Sequence, residues 1–424
     1  MRRTALRLVA ASAAVVAVAA CTNSNAGGGT SADGGFTLKI GDVLPFTGDL
    51  SPYGPSLDKG SAMGIDMVNA ALKADGLSST KIELVGSEDD QTSTSAGVEA
   101  ATKLVSIKKA DVLVGSMSSG VTIAIAKSVA VPDDVLMVTP TSSDVGITQL
   151  ADNGLVFRVY PPDDFQAKAL VQTISQELGQ NATLNVGGRN DAFGVALVNG
   201  FKAEWESKGG KVGKVVMYDP KSATFDSAAA QLTSGSPKGF VIADFPATFA
   251  KVGPALVRTG KWSPKQTFMT EAMQNADELK KIGAQATVGL RGTAASANGG
   301  TGQDAFQSAF KSKYPKLPYT GFESSAFDSS VIASLAAIKA GTNDPSKVKE
   351  AMLTVSKPDG EKFTWQQLPE AIKAIKAGKT ISYQGAWTQV AFDPKGDPAV
   401  SSFVLWQWTG SGIKTLKNLT FEAQ

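Results

Sequence analysis

Two hydroxyl-rich turns and one carboxylate are the residues of this chain best placed to do chemistry. The first turn is GSMSSG, residues 115–120, between the β-branched run DVLVG and a run of helical character. Backbone N–H groups at such a strand-to-helix turn, with the hydroxyls of Ser118 and Ser119, would present donors to an anion. A carboxylate there gains from the helix dipole and from charge-assisted hydrogen bonds. Simple N-capping would use the same serines. The second turn is TPTSSD, residues 139–144, directly after the run DVLMV. The carboxylate is Glu271, in TFMTEAMQN, just past the strand-like QTFMT. A carboxylate at the C-terminal end of a strand faces the crevice there. If buried, it calls for a cationic partner, because an unpaired buried charge is costly. If solvated, it is an ordinary loop residue.

Catalysis has little to work with. The 424 residues hold no histidine and one cysteine, Cys21, which removes the commonest general base and the commonest zinc ligand. The acidic pairs Asp89-Asp90 and Asp163-Asp164 make poor catalytic couples, since neighbouring side chains on a strand point to opposite faces. Asp163 and Asp164 read as caps of the helix that follows. There is no nucleophile–base motif and no Walker-type phosphate loop. We expect no enzyme, no metal and no cofactor. A formal charge of +2 with mixed signs argues against nucleic acid.

These turns are set in a repeating frame. From Phe36 onward, short β-branched runs alternate with amphipathic ones. FTLKIGDVLP, KIELVGSEDD, DVLVG and DVLMVTP alternate with helical runs. The rhythm resumes with ATLNVGG, KVGKVVMY and GFVIADF. Leu170, Ile174 and Leu178 fall on one helical face. So do Val198, Phe201 and Trp205, and later Phe327, Val331, Leu335 and Ile338. The alternation predicts parallel α/β sheets covered on both faces. GLVFRVYPPDD, VGLRGTAAS and the stretch near residues 383–393 break the rhythm, and each reads as a strand leaving one lobe for another. The expected division is 36–158 with 293–385 for lobe 1, and 159–292 with 386–424 for lobe 2. Residues 357–382 read as an elaboration of lobe 1 near the crossings, with a helix at 366–377.

The N-terminal residues read differently. MRRTALR is basic, and LVAASAAVVAVAA is apolar but shorter than the roughly 20 residues that span a bilayer. This is the pattern of a secretory signal over residues 1–20. Ala19 and Ala20 directly before Cys21 resemble the lipobox of bacterial lipoproteins, whose cysteine is acylated. The Gly/Ser/Asn/Thr-rich stretch after it, to residue 35, is a flexible tether. The expected location is extracytoplasmic, with membrane attachment through lipid on Cys21 at the outer face of the bacterial cytoplasmic membrane.

The stretches IGDVLPFTGDLSPYGPSLDKGSAMGIDMVN, VLVGSMSSGVTIAIA, LMVTPTSSDVGIT, VFRVYPPDD, RNDAFGVALVNGFKAEWESKGGKV and FDPKGDPAVSSFVLWQW, in that order and spacing, resemble one family. It is the type I solute-binding proteins of bacterial ABC importers, in the leucine/isoleucine/valine-binding branch. The resemblance runs from Ile40 to Thr409. It implies two Rossmann-like lobes joined by three strands that close on a small ligand, and an ABC permease as partner. It implies that Ser119, Thr141 and Ser143 hold a ligand carboxylate and part of an α-amino group, and that Glu271 pairs with the ammonium. Tyr53 matches a cleft aromatic of the first lobe, and Phe245 lies near another of the second. Phe193 stands where many relatives carry tyrosine, which makes that wall more apolar. The set implies a zwitterion with an aliphatic or other neutral side chain. Amides, urea and small carboxylates are the alternatives, as is a ligand-sensing receptor of the same fold.

Overall fold

The computed structural model describes residues 35–296, 301–387 and 389–422. The signal segment, Cys21 and all of the tether but Gly35 lie outside the described residues. The first sheet contains β1 (Thr37–Leu44), β2 (Lys81–Asp89), β3 (Val112–Gly115), β4 (Leu136–Thr139) and β5 (Val156–Arg158). Its order is β2-β1-β3-β4-β5 and every pairing is parallel. The second sheet contains β6 (Thr183–Arg189), β7 (Lys211–Tyr218), β8 (Gly239–Ala243), β9 (Thr267–Met269) and β10 (Arg291–Ala295). Its parallel part runs β10-β9-β8-β6-β7. Parallel strands need crossover helices, and those helices bury both faces. Leu38, Ile40, Leu184, Val186 and Ile242 are accordingly fully enclosed.

The small β11 (Glu361–Thr364) and β12 (Ile381–Gln384) pair with each other in parallel. β13 (Val400–Trp408) then joins the second sheet antiparallel to β10, and β14 (Ile413–Glu422) lies antiparallel to β13. This C-terminal ribbon departs from the all-parallel expectation. A short turn joins its two strands, and only antiparallel neighbours can be linked that way. Residues 361–384 form a strand–helix–strand unit around the helix Leu368–Lys376, with Trp365 packed edge-on against Phe306 and Phe327 of the first lobe.

Two expected boundaries move. β10 stays in the second sheet through Ala295, so the crossing expected before residue 293 comes after it. Residues 386–399 pack on the first lobe, where the expected division put them in the second. Ala386 and Trp387 donate backbone N–H bonds of 2.8 and 2.7 Å to the Asp328 carboxylate. Phe392 meets Phe157 edge-on at 5.1 Å. The fastening is ionic: Arg158, fully buried on β5, donates from Nε to Asp397 at 2.5 Å and from Nη1 to the Asp144 carbonyl at 2.8 Å. One guanidinium therefore ties β5, the turn after β4 and the third crossing together.

The helix Phe322–Ala340 is the axle of the first lobe. Every residue from 322 to 338 is buried, so the one-faced pattern expected from Phe327, Val331, Leu335 and Ile338 is too narrow. Its serines fit because their hydroxyls bond back to helix carbonyls, as Ser329 does to Ser325 and Ser334 to Ser330. The helix Gly54–Ala74 lies against it so closely that a Cβ on Gly60 would stand 2.2 Å from the Glu323 carbonyl oxygen.

Arg158→Met should cost about 3 kcal/mol or more of unfolding free energy, because it strands the Asp397 carboxylate in the interior. Urea denaturation of parent and variant measures it; a loss below about 1 kcal/mol would show that the tie is dispensable.

Candidate functional site

In each lobe the strand order reverses direction once, and loops on either side of that point part to leave a crevice at the C-terminal ends of the strands. In the first sheet this happens between β1 and β3. Leu50 after β1, Met117 and Ser119 after β3, and Thr141 and Ser143 after β4 gather there. In the second sheet it happens between β6 and β8, where Phe193, Phe245 and, after β9, Glu271 gather. The two crevices face each other and enclose a cavity of about 20 Å³, completed by Ala272 and Phe322.

The first-lobe wall is an interlocked set of hydroxyls. Ser119 begins the helix Ser119–Ile125. Its Oγ accepts N–H bonds of 3.2 Å from both Ser143 and Asp144. With both acceptor positions used, its own proton is free to point into the cavity. Thr141 Oγ1 donates to the Met117 carbonyl at 3.2 Å. Beneath them, Thr139 and Ser142 donate to the Ser116 carbonyl, and Ser116 donates to Asp90 at 2.5 Å. Burial raises Asp90 to about pH 6 against the pull of Ser116. Gly115 lets the turn start: its φ is +134°, and a Cβ would lie 2.0 Å from the Val43 carbonyl oxygen.

The opposite wall is apolar and backed by charge. Phe193 and Phe245 stack with centroids 5.0 Å apart. The Arg189 guanidinium lies 3.9 Å from the Phe245 ring and bonds to Asp191 and, at 3.1 Å, to Thr248. Arg189 also reaches across the cleft to Asp49 of the first lobe at 2.9 Å. A second crossing bond runs from Tyr53 Oη to the Ala272 carbonyl at 2.7 Å.

Glu271 closes the cavity, and Asp163 lies near enough to feel its charge. Glu271 is 7% exposed and its Oε2 has no hydrogen-bond partner among the described residues. Burial lifts its pKa to about 7, against the pull of its own backbone amide and the nearby Gln166. Asp163, at the start of the helix Asp163–Leu178, is 1% exposed, and neither of its oxygens has a hydrogen-bond partner among the described residues. Its pKa is pushed well above the usual carboxylate range, first by burial and then by the charge of Glu271; Ser143 and Arg158 pull it down. Glu271 thus faces the hydroxyl wall across the cavity, a buried carboxylate opposite a set of hydrogen-bond donors.

The model of one family, described as periplasmic binding protein, matches residues 37–410. The chain belongs to the periplasmic binding protein family. Its two lobes are those of the type I form. A Leu/Ile/Val-binding protein, BraC3, from Rhizobium johnstonii is 26% identical over 396 residues, covering 89% of this chain and 93% of that protein. A substrate-binding protein of a chemotactic signal transduction system, BasB, from Halobacterium salinarum is 24% identical over 384 residues, 90% of this chain and 89% of that one. Among solved structures, the branched-chain amino acid transporter substrate-binding protein LivJ of Streptococcus pneumoniae, in complex with isoleucine, superposes with a TM-score of 0.73 at 19% identity. It covers 91% of this chain and all of that one.

Against this family's cleft, the expected residues divide. Ser119, Thr141, Ser143, Phe193, Phe245 and Glu271 line one cavity. Ser118 does not line it: it is half-buried, and its N–H is taken by Ser116 Oγ at 3.1 Å. Tyr53 does not line it either, because its hydroxyl is committed to Ala272 and its ring packs edge-on against Phe322. Asp163 was expected to cap its helix, but the helix has no side-chain cap bond, and the carboxyl instead feels the charge of Glu271. Only the Pro161-Pro162 break before it could have hinted at this. Leu50, Met117 and Phe322 carry no sequence signal beyond hydrophobicity.

Glu271→Gln should stabilise the protein at pH 8 by roughly 1–3 kcal/mol and leave stability at pH 5 little changed. The folded carboxyl titrates near 7 and the unfolded one near 4.3. Between those values the folded state holds a proton the unfolded state has released, so the parent loses stability as pH rises through the window. Asp90 and Asp244, raised to about 6 and about 7, add to the same slope, so the difference between variant and parent is the readout. Denaturation without added ligand at both pH values measures it.

Proposed function

We propose that this chain is an extracytoplasmic solute-binding lipoprotein that captures a small neutral α-amino acid between its lobes and delivers it to an ABC permease. The observation that carries the reading is Glu271, a buried carboxylate with an unbonded oxygen, set across a small apolar pocket from Ser119, Thr141 and Ser143. The ligand carboxylate would accept from the Ser119 and Ser143 hydroxyls and from the Thr141 backbone N–H. The ammonium would lie against Glu271, with Asp163 behind it. Stacked Phe193 and Phe245 would form the apolar wall beside the head group. The work of the protein is binding and release, with no covalent step.

The lobes would capture the ligand by hinge closure. A ligand shifts that equilibrium only by its differential affinity for the closed state, and a zwitterion has that differential because its two ends are held by different lobes. Lipid on Cys21 would keep the protein at the membrane, with the residues up to 35 as tether. The location implied by the family is extracytoplasmic, and no helix among the described residues is long and apolar enough to cross a membrane. A sensing role is the second reading; the halobacterial relative, a substrate-binding protein of a chemotactic signal transduction system, favours it. The ligand site is the same in both.

A thermal-shift screen of amino acids, amides, urea and small carboxylic acids tests the ligand class. A ligand at about 100 times its dissociation constant adds about 2.7 kcal/mol. Neutral amino acids should raise Tm and their deaminated acids should not; shifts only with carboxylic acids or amides would overturn the amino-acid reading. Glu271→Gln should weaken amino-acid binding by about thirty-fold or more, and unchanged affinity would remove Glu271 from the site. Asp49→Asn, which cuts the exposed side of the cross-cleft ion pair, should weaken binding about two- to five-fold at low salt. The loss should shrink at high salt, where exposed charges are screened.

A further inference from the structure

Glu271 and Phe322 stand on the boundary of two cavities. One is the small pocket just described. The other is much larger, about 390 Å³, and both residues line it too. All three crossings between the lobes border it: Tyr160 from the first, Ser296 from the second and Trp387 from the third. The small pocket leaves little room beyond an amino-acid head group. The larger one has space for about a dozen waters.

The chemistry of its walls is unlike that of an aliphatic side-chain pocket. Gln274, Gln303, Gln307 and Thr320 line it, as does Tyr319, whose hydroxyl has no hydrogen-bond partner among the described residues. Gln303 and Gln307 are one helical turn apart on the helix Thr301–Lys313 and share a face. A flat apolar floor completes it: Tyr160 and Trp387 stack at 5.7 Å, with Phe322 6.4 Å from Trp387. Among its described lining residues there is no lysine or arginine, and the two charged groups are Glu271 and Asp304.

We infer that the ligand is an amino acid whose side chain carries an uncharged carboxamide, and that this side chain passes Glu271 into the second cavity. The inference rests on the amino-acid reading above. With the ammonium fixed at Glu271, the adjoining space is the larger cavity. Carboxamides and hydroxyls both donate and accept, so a carboxamide satisfies them from either side. An aliphatic chain would displace water from the glutamines and Tyr319 and leave them unbonded. A carboxylate would meet Glu271 and Asp304 with no cation beside it. Asp304 is exposed at the rim, so it stays solvated and does not demand a cationic chain. The aromatic floor carries the methylene stem and the amide plane.

Calorimetric titration of the full protein with glutamine, norleucine, arginine and glutamate tests this. Norleucine has about the length of glutamine without the amide. Glutamine should bind about ten-fold or more tighter than norleucine, as one satisfied buried hydrogen bond implies. The double variant Gln303→Leu, Gln307→Leu should narrow that ratio to about two-fold. Norleucine binding as tightly as glutamine would overturn the inference and leave the amino-acid reading standing. Arginine or glutamate binding tightest would do the same, and so would a ratio untouched by the double variant. Binding of none of the four would overturn the amino-acid reading and this inference together.

Discussion

Two carboxylates lie buried where the lobes meet, with no cation bonded to either among the described residues, and the rest of the structure is organised around that imbalance. Glu271 and Asp163 are each buried and each raises the cost of ionising its neighbourhood. Such groups survive only where the scaffold is rigid enough to hold them against collapse or solvation. The second-lobe sheet supplies Glu271 at the end of β9. The first crossing supplies Asp163 immediately after a Pro-Pro pair. Both sit at the ends of regular elements and both are buried. The apolar stack of Phe193 and Phe245 keeps the local dielectric low, which sharpens every charge in the cleft.

The hydroxyl wall is the complement of that design. Ser116, Thr139 and Ser142 are not aimed at the cavity, yet they hold the two turns after β3 and β4 in a single unit. Ser119 is therefore presented with its acceptor sites already filled. Arg189 plays the matching part in the second lobe. It stacks on Phe245, bonds Asp191 and Thr248, and so fixes the apolar wall from behind. Nearby Asp244, fully buried, is raised by burial and pulled back by the charge of Arg189.

How much of this the sequence showed depends on range. The parallel framework was legible because a short β-branched run followed by an amphipathic helical run is a local signal, repeated for most of the strands from β1 to β9. The turns around Ser119 and Thr141 and the position of Glu271 were legible for the same reason, as residues at strand ends. What local pattern cannot carry is which side of a helix end a carboxylate turns to. Asp163 reads as a cap in any chain, and only the approach of Glu271 from another sheet gives it a different environment. Tyr53 illustrates the converse: it is an aromatic at a cleft rim, but its hydroxyl finds a carbonyl 219 residues away. The third crossing was misplaced because the described residues of 386–399 form no helix or named strand. They are held by Asp328 and Arg158, partners remote in sequence. The larger cavity had no signature either, since its polar wall is assembled from three helix and loop segments.

The two bonds that bridge the cleft, Tyr53 to Ala272 and Arg189 to Asp49, are made by protein to protein. They owe nothing to whatever lies between the lobes. Under the proposed closure, the shut form therefore carries some stability of its own, and a share of molecules shuts with no cargo. A solute arriving at a shut cleft must wait for it to part. The pace of capture is then set by how often those two contacts let go, and a change at either would alter the speed of uptake without altering which solute is chosen.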